Sequence, residues 1–164
     1  MKKTKIEKIE PILWDRWLLL KIYCEDGTIG IGEAGVHGWQ RPTKTMIEIM
    51  SNYLIGKDPS LIEHHYQWLY RSSHFMGSVV QGALSAIDIA LWDIKGKRFD
   101  VPIYELLSGK TRDKVRCYMH VGMYNPNSQS KLGTTDALVE DAKNAVKKGF
   151  TAVRFSPYND KFFL

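Results

Sequence analysis

Polar side chains follow the last predicted strand of the chain, at the place where an active site would be built. Arg154 lies near the end of a strand predicted over Thr151–Phe155, and Ser156, Tyr158 and Asp160 come after it. Residues at the C-terminal ends of parallel strands face the ligand crevice of an α/β fold, so Arg154 is a candidate functional residue. The alternative is an ordinary surface cation.

The five histidines divide into two groups by their predicted surroundings. His37, His74 and His120 lie in loops or at a strand end, where each could meet a ligand. His64 and His65 are adjacent, so on a helix their side chains point about 100° apart and cannot easily bind one metal ion. His65 also falls on an apolar stripe, and we expect it to be a hydrogen-bonded core residue.

Motifs that would bind a metal ion by themselves are missing from the sequence. No His-Glu-x-x-His, Cys-x-x-Cys or paired-carboxylate motif occurs at ligand spacing. The sequence therefore predicts no metal site built wholly within this chain.

A Gly-x-Gly-x-x-Gly match at Gly30, Gly32 and Gly35 follows a predicted strand. A dinucleotide site would need a helix to begin there, so that its N-terminal amides could hold the diphosphate. The residues that follow, 36–42, have the composition of a loop, and Glu33 would bring a negative charge toward the diphosphate. The sequence argues against a dinucleotide site.

Two carboxylates, Asp88 and Asp93, interrupt the most apolar helical segment. A carboxylate in such a place needs a partner. We expect structural pairing with Lys95, Lys97 or a neighbouring strand in preference to catalysis.

The composition, with 44% hydrophobic and 25% charged residues, is ordinary for a globular protein. The net charge of +5 comes from scattered Lys and Arg without interleaved aromatics, so we do not expect nucleic-acid binding. Apolar runs such as Trp17–Leu20 are far shorter than the roughly 20 residues of a membrane span, and the basic N-terminus does not resemble a signal peptide. We therefore expect a cytoplasmic protein without membrane contact, with Cys24 and Cys117 as reduced core thiols.

The first two thirds of the chain predict an α+β domain. Three strands come first, with an Asp26-Gly27 hairpin turn between the second and the third. Two amphipathic helices and one long buried helix follow. The predicted strands are Lys5–Leu13, Trp17–Glu25 and Thr28–Gly32. The predicted stripes are Met46, Met50, Tyr53 and Leu54; Ile62, His65, Tyr66, Leu69 and Tyr70; and Val80, Leu84, Ile87, Leu91 and Ile94.

The remaining residues change to an α/β pattern. Asp100-Val101-Pro102 breaks the long helix, and a short helical turn ends at Gly109. A strand over Lys114–Val121, a helix over Thr134–Lys148 and the strand over Thr151–Phe155 then form a βαβ unit with parallel strands. Leu138, Ala142, Ala145 and Val146 are the residues expected to face inward from that helix. One such unit cannot cover both faces of a parallel sheet, so this fold requires more chain.

Several of these segments together resemble one enzyme family. Ala83–Lys97 and Val101–Gly109 are similar to the signature helix of the mandelate racemase and muconate lactonizing enzyme branch of the enolase superfamily. The strand end Gly30–Ala34 and the segment Tyr53–Pro59 match the same family. One local departure is Ser108, where the family usually has glycine.

The resemblance implies a domain organisation and a chemistry. It implies an α+β cap domain over residues 1–112, with a three-stranded antiparallel sheet plus helices, followed by the first βαβ unit of a TIM-type (β/α) barrel over 113–164. In such enzymes Mg²⁺, held by three acidic residues on the third to fifth barrel strands, stabilises an enediolate formed by proton abstraction α to a carboxylate. Those strands are not in this chain, so we expect the chain alone to bind no Mg²⁺ and to be inactive.

Within the branch, the acid-sugar dehydratases, notably the galactonate dehydratase-like proteins, resemble this chain most. The Tyr70-Arg71 and Phe75-Met76-Gly77 stretches carry this likeness. The racemases and cycloisomerases carry Lys-x-Lys at the end of the second barrel strand, where this chain has Arg154-Phe155-Ser156. Serine cannot act as the lysine base does, so the resemblance implies dehydration of a sugar acid.

The resemblance also implies roles for individual residues. In mannonate dehydratase-like members an arginine and a downstream tyrosine act together near this strand, which makes Arg154 and Tyr158 the candidate catalytic residues. The candidate substrate-binding residues lie in cap loops and at a strand end; they are Trp14, His37, Trp39, His74 and His120. Trp14 and Trp39 could instead pack against the helices of the cap itself.

Other functions and partners stay open from the residues alone. A racemase or cycloisomerase of the same branch is one alternative. A non-catalytic fragment or binding module that keeps the cap fold is another. The expected partners are a small sugar-acid substrate, the remainder of the barrel and further copies of the protein in a homo-oligomer.

Overall fold

The computed structural model describes residues 3–122 and 135–155. The chain divides into two compact units, Met1–Lys110 and Thr111–Leu164, which we call unit 1 and unit 2. The elements of unit 1 are β1 (Ile6–Trp14), β2 (Trp17–Cys24), β3 (Ile29–Glu33), α1 (Gln40–Leu54), α2 (Ile62–Arg71), α3 (Ser78–Phe99) and α4 (Ile103–Leu106). Unit 2 contains β4 (Met119–His120), α5 (Thr135–Lys147) and β5 (Val153–Arg154).

The sheet of unit 1 has the strand order β1-β2-β3 with both pairs antiparallel. In β2 every second side chain is buried, as the period of a half-buried strand requires; these are Leu18, Leu20, Ile22 and Cys24. The turn before β3 has Gly27 at φ +83°, and the Thr28 N–H donates to the carboxylate of Asp26 at 3.0 Å. The predicted three-stranded antiparallel sheet and its Asp-Gly hairpin are confirmed.

Helix α3 packs against β3 with backbone close to backbone. A Cβ atom added at Gly32 would overlap the carbonyl oxygen of Ala86, and one at Gly30 would overlap that of Ala90. These two glycines of the Gly-x-Gly-x-x-Gly match are therefore needed for close packing.

The rest of α3 is buried over much of its circumference. The predicted stripe residues Leu84, Ile87, Leu91 and Ile94 are each 1% exposed. Small residues of α3, namely Gly82, Ala83, Ala86 and Ala90, are buried as well. Of the helices that the structure describes, α3 included, none has the length and apolar character needed to cross a membrane.

The free edge of β3 is covered by two side chains of α3. The carboxylate of Asp93 accepts the Ile31 N–H at 2.8 Å, and Lys97 Nζ donates to the Ile29 carbonyl at 2.8 Å and to Asp93 at 2.7 Å. These contacts occupy backbone groups that would otherwise be open to another strand. The predicted structural pairing of Asp93 is confirmed.

The other acidic residue of α3 has different surroundings. Burial raises the pKa of Asp88, and the negative charge of Glu63 raises it further. Asp88 is expected to pair with Lys95, Lys97 or a neighbouring strand, but Lys97 contacts Asp93, and Lys95 lies over the ring of Trp92 at 4.9 Å.

Helices α1 and α2 complete the core of unit 1. In α1 the buried apolar residues are Ile47, Met50 and Leu54, with Met46 and Tyr53 partly buried beside them. In α2 they are Ile62 and Leu69. The predicted burial of Tyr70 is wrong, because its side chain is 42% exposed and stacks on Tyr66 at the surface.

His65 on α2 is a core residue, as predicted. It is 1% exposed, its Nε2 lies 2.8 Å from the Asp58 carbonyl, and its Nδ1 lies 3.1 Å from the Tyr53 hydroxyl. A neutral ring satisfies both contacts when Nε2–H donates to the carbonyl and Nδ1 accepts from the hydroxyl. Burial lowers the pKa of His65, because the charged ring would lose its hydration.

The segment after α3 shows why glycine is usual at position 108 in the family that this chain resembles. The predicted helical turn is present as α4, and Gly109 has φ +95°. Ser108 also has a positive φ, +81°, a conformation that glycine adopts without strain and serine rarely does. A glycine is therefore the natural residue at position 108.

Unit 2 has the predicted βαβ order. Strands β4 and β5 pair in parallel, with Met119 opposite Val153 and His120 opposite Arg154. At two residues each, both strands are shorter than predicted. Ala137, Asp141 and Ala145 are the buried residues of α5.

Two residues expected inside unit 2 are exposed. Val146 is 67% exposed, and Cys117 is exposed, whereas Cys24 of unit 1 is buried as predicted. Within the described residues of unit 2, one helix and two short strands bury little apolar surface, so these two predictions of burial are wrong.

The buried histidine makes unit 1 less stable in mild acid. Because the pKa of His65 is lowered in the folded state, the unfolded chain binds a proton first as the pH falls through about 6.5. The free energy of unfolding in urea should therefore fall between pH 7.5 and 5.5. Carboxylates with lowered pKa values, such as Asp26 and Asp58, add their effect at lower pH.

The variant His65→Gln should lose this pH dependence, and the control His64→Gln, at the exposed neighbouring position, should keep it. A slope that is the same in all three proteins would contradict the assignment to His65.

Candidate functional site

The end of unit 1 where β1 and β3 terminate carries the exposed loops. Trp14 and Trp17 are opposite each other across the β1–β2 turn, and the Ala34 N–H donates to the Leu18 carbonyl at 3.0 Å. The antiparallel register thus places the β1–β2 turn beside the end of β3.

The starts of α1 and α3 lie at this same end. A Cβ at Gly82, near the start of α3, would overlap the side chain of Val36 and approach the Ala34 carbonyl to 3.2 Å. The side chain of Gln40, the first residue of α1, reaches the Arg16 carbonyl at 2.8 Å. We call the segments 14–17, 34–39 and 72–77 the loop end of unit 1.

The candidate residues predicted in the cap belong to the loop end. Trp14 is 70% exposed and Trp39 is 58% exposed, and His37 and His74 are exposed as well. Neither indole is buried against the helices of unit 1, so that alternative is wrong. All four side chains are available to a ligand or to another part of the protein.

Two further aromatic residues of the loop end were missed from the sequence. Trp17 is 49% exposed and Phe75 is 88% exposed. Trp17 was counted only as a member of a strand, although two tryptophans flanking a two-residue turn are a visible signal. Phe75 lies in a loop held by hydrogen bonds between its backbone and the Ser73 hydroxyl, at 3.1 and 3.3 Å.

In unit 2 the strand pairing brings His120 and Arg154 next to each other. They are direct partners in the parallel register, and Arg154 Nη1 donates to the hydroxyl of Tyr118 at 3.3 Å. Because side chains alternate along a strand, Tyr118, His120 and Arg154 share one face, whereas Val121, 3% exposed, lies on the other. Tyr118 was not predicted, since its place depends on this register.

The chain around this face is held by backbone and side-chain contacts. The Val121 N–H donates to the Arg154 carbonyl at 2.8 Å, and the Gly122 N–H donates to the buried carboxylate of Asp141 at 3.0 Å. Arg116 donates to the hydroxyl and the carbonyl of Thr151, at 3.0 and 2.8 Å. The two strands are thereby tied together at both ends.

One predicted site residue is not addressed by this geometry. Tyr158, the expected companion of Arg154, lies outside the described residues, as does Ser156. Within residues 3–122 and 135–155, no three His, Cys, Asp or Glu side chains come together as a metal site. The part of the chain that the structure describes does not provide a set of Mg²⁺ ligands.

Comparison with known proteins agrees with this architecture. The chain is 42% identical over 128 residues to D-galactonate dehydratase of Pectobacterium atrosepticum, an overlap of 77% of this chain and 33% of the relative. It is 44% identical over 112 residues to D-galactonate dehydratase of Ralstonia pickettii, an overlap of 68% of this chain and 29% of the relative. The chain thus spans about a third of the length of these curated relatives.

Solved structures of enolase-superfamily proteins superpose on this chain. A member of the enolase superfamily from Salmonella Typhimurium superposes with a TM-score of 0.84 at 30% identity, over 93% of this chain and 42% of that protein. A mandelate racemase/muconate lactonizing enzyme from Sulfitobacter sp. gives 0.78 at 28% identity, over 94% and 42%. The family model of the mandelate racemase / muconate lactonizing enzyme N-terminal domain matches residues 12–108. The chain therefore belongs to the mandelate racemase and muconate lactonizing enzyme family of the enolase superfamily, and it contains that family's N-terminal domain.

Proposed function

We propose that this chain is the N-terminal part of an acid-sugar dehydratase that acts on C6 aldonates or aldarates. The observation that carries the proposal is the 42% identity over 128 residues to a D-galactonate dehydratase. The reaction removes the proton α to the substrate carboxylate and expels the β-hydroxyl as water, leaving a 2-keto-3-deoxy acid after tautomerisation.

The sequence of the second barrel strand favours dehydration over racemisation or cycloisomerisation. Arg154-Phe155-Ser156 stands where the racemases and cycloisomerases of the branch have Lys-x-Lys. A serine hydroxyl is far too weak a base to replace the second lysine, so the proton must be taken by another group. Arg154 keeps a fixed positive charge at the first of these positions, suited to an anionic substrate.

In this proposal Mg²⁺ would stabilise the charge that develops on the substrate carboxylate. Its ligands would belong to the third to fifth barrel strands of the whole protein. The described residues of this chain offer no such set, and we expect the 164-residue chain alone to be inactive.

This chain would contribute residues for substrate recognition and the candidate catalytic pair Arg154 and Tyr158. The exposed indoles of Trp14 and Trp39 combine an apolar face with an N–H donor, which suits the C–H faces and hydroxyls of a sugar acid. His37 and His74 add polar groups at the same end of unit 1, and His120 lies beside Arg154 in unit 2. Tyr158 would act together with Arg154.

The proposal includes partners for the two units. Strands β4 and β5 have a single helix between them, so we expect further barrel strands to pair with them and cover their open face. We also propose that the whole protein is a cytoplasmic homo-oligomer.

The whole protein should convert sugar acids when it is screened with Mg²⁺ against an acid-sugar library. The expected products are 2-keto-3-deoxy acids from C6 aldonates or aldarates, with D-galactonate as the first candidate. Turnover of muconate or of dipeptides instead would contradict the assignment. Absence of turnover in a folded protein would favour a non-catalytic binding module.

Two variants make this screen sharper. Arg154→Gln should lower kcat/KM on the order of 100-fold, because a charge on the substrate loses its counter-charge. Arg112→Gln, at another exposed arginine of unit 2, should leave activity unchanged.

The loop end should contribute to substrate binding in the whole enzyme. His37→Ala and Trp39→Ala should each raise KM about five- to tenfold, the effect of one lost hydrogen bond or aromatic contact. The melting temperature should hardly change, because both side chains are exposed. His64→Ala, an exposed histidine on α2, is the control, and unchanged kinetics for both loop variants would refute this role.

A further inference from the structure

A side-chain hydrogen bond joins two loops of the loop end that are distant in sequence. Gln40 Nε2–H donates to the Arg16 carbonyl at 2.8 Å across a separation of 24 residues. Arg16 belongs to the β1–β2 turn, between Trp14 and Trp17. Gln40 directly follows the loop that carries His37 and Trp39.

The β1–β2 turn is closed by the hairpin pairing of Trp14 with Trp17, and the described contacts of its two central residues with the rest of unit 1 are few. Asp15 adopts φ +51°, a left-handed conformation that is uncommon outside glycine, although Asp tolerates it better than most residues. The Asp15–Arg16 ion pair, at 3.7 Å, joins side chains that are 80% and 56% exposed, so it stabilises the turn very little. Trp14 and Trp17 are themselves exposed at the base of the turn.

The Gln40 side of the bond is anchored to the core. The carbonyl of Trp39 accepts from the Thr43 backbone N–H at 3.1 Å and from its hydroxyl at 2.7 Å. Thr43 is fully buried, at 0% exposure, on the face of α1 that packs against the core. The backbone at Gln40 is therefore fixed, and its side chain ties the turn to this fixed point.

We propose that Gln40 is a positioning residue that makes the β1–β2 turn and the 34–39 loop behave as one body. The bond sets the spacing between the two tryptophans of the turn and the His37–Trp39 segment. The inference rests on the proposed function, in which these loops contact the substrate. Without the bond, the turn must be ordered against the fixed 34–39 loop when substrate binds, which weakens binding without changing the reacting groups.

Gln40→Glu tests this with almost no change of shape, because it replaces the N–H donor by an oxygen that repels the Arg16 carbonyl. The matched control is Gln67→Glu. Gln67 also donates to a neighbouring oxygen, Glu63 Oε1 at 2.8 Å, but on the exposed face of α2. Both variants add one negative charge to a helix surface.

The first measurement is amide hydrogen exchange on the 164-residue chain, which needs no enzymatic activity. In Gln40→Glu, exchange should become about fivefold faster in the 14–17 turn, the factor expected for one ordinary hydrogen bond. It should stay at the wild-type rate in residues 36–39, because the Trp39 carbonyl is held by Thr43 independently of Gln40. Gln67→Glu should leave both loops at the wild-type rate. Unchanged exchange in the 14–17 turn would overturn the role of Gln40, and so would an equal increase throughout unit 1, which would indicate general destabilisation.

The second measurement is kinetic and uses the whole enzyme. Gln40→Glu should raise KM about fivefold and leave kcat within a factor of two, whereas a purely structural loss would lower the amount of active enzyme and therefore kcat. An unchanged KM in an active enzyme would overturn the positioning role. If the whole protein has no dehydratase activity, the proposed function fails, while the exchange experiment still decides whether the two loops are coupled.

Discussion

Strand β3 and helix α3 pack backbone against backbone, because Gly30 and Gly32 let the carbonyls of Ala90 and Ala86 approach the strand. This approach brings an apolar face of α3 onto the sheet, and helices α1 and α2 pack against α3 as well. It also brings Asp93 and Lys97 to the free edge of β3. Finally, it places the start of α3 beside the end of β3, and the loop end of unit 1 follows from that position.

Local features of the chain allowed most of unit 1 to be predicted. The spacing of Leu84, Ile87, Leu91 and Ile94 is enough to define a buried helix, and the Asp26-Gly27 pair is enough to define a hairpin. The contact of Gly32 with Ala86 is not local, because it depends on how helix and strand meet. The strands of unit 2 are short for a similar reason. Strand length depends on neighbouring strands, which the sequence of β4 and β5 alone does not determine.

The candidate site residues likewise divide into those that the local sequence predicts and those whose place depends on the tertiary fold. Loop position was enough to predict that His37, Trp39 and His74 are accessible. Trp17 was missed because the alternating pattern marks it as a strand residue, whereas its exposure follows from its place beside the turn. Tyr118 joins Arg154 only through the register of β4 and β5, which periodicity does not determine. The hydrogen bond between Gln40 and Arg16 likewise depends on the tertiary fold.

The most direct test of this account is the free energy of unfolding of Gly32→Ala in the 164-residue chain, measured in urea. The added methyl group would overlap the Ala86 carbonyl, so we predict a loss of about 1–3 kcal/mol, the usual cost of overpacking a well-packed core. Gly77→Ser is the control, because its Cβ meets no atom within 4 Å and serine suits the N-cap of α3. A Gly32→Ala protein as stable as the wild type would contradict the close contact between β3 and α3 on which the rest of unit 1 depends.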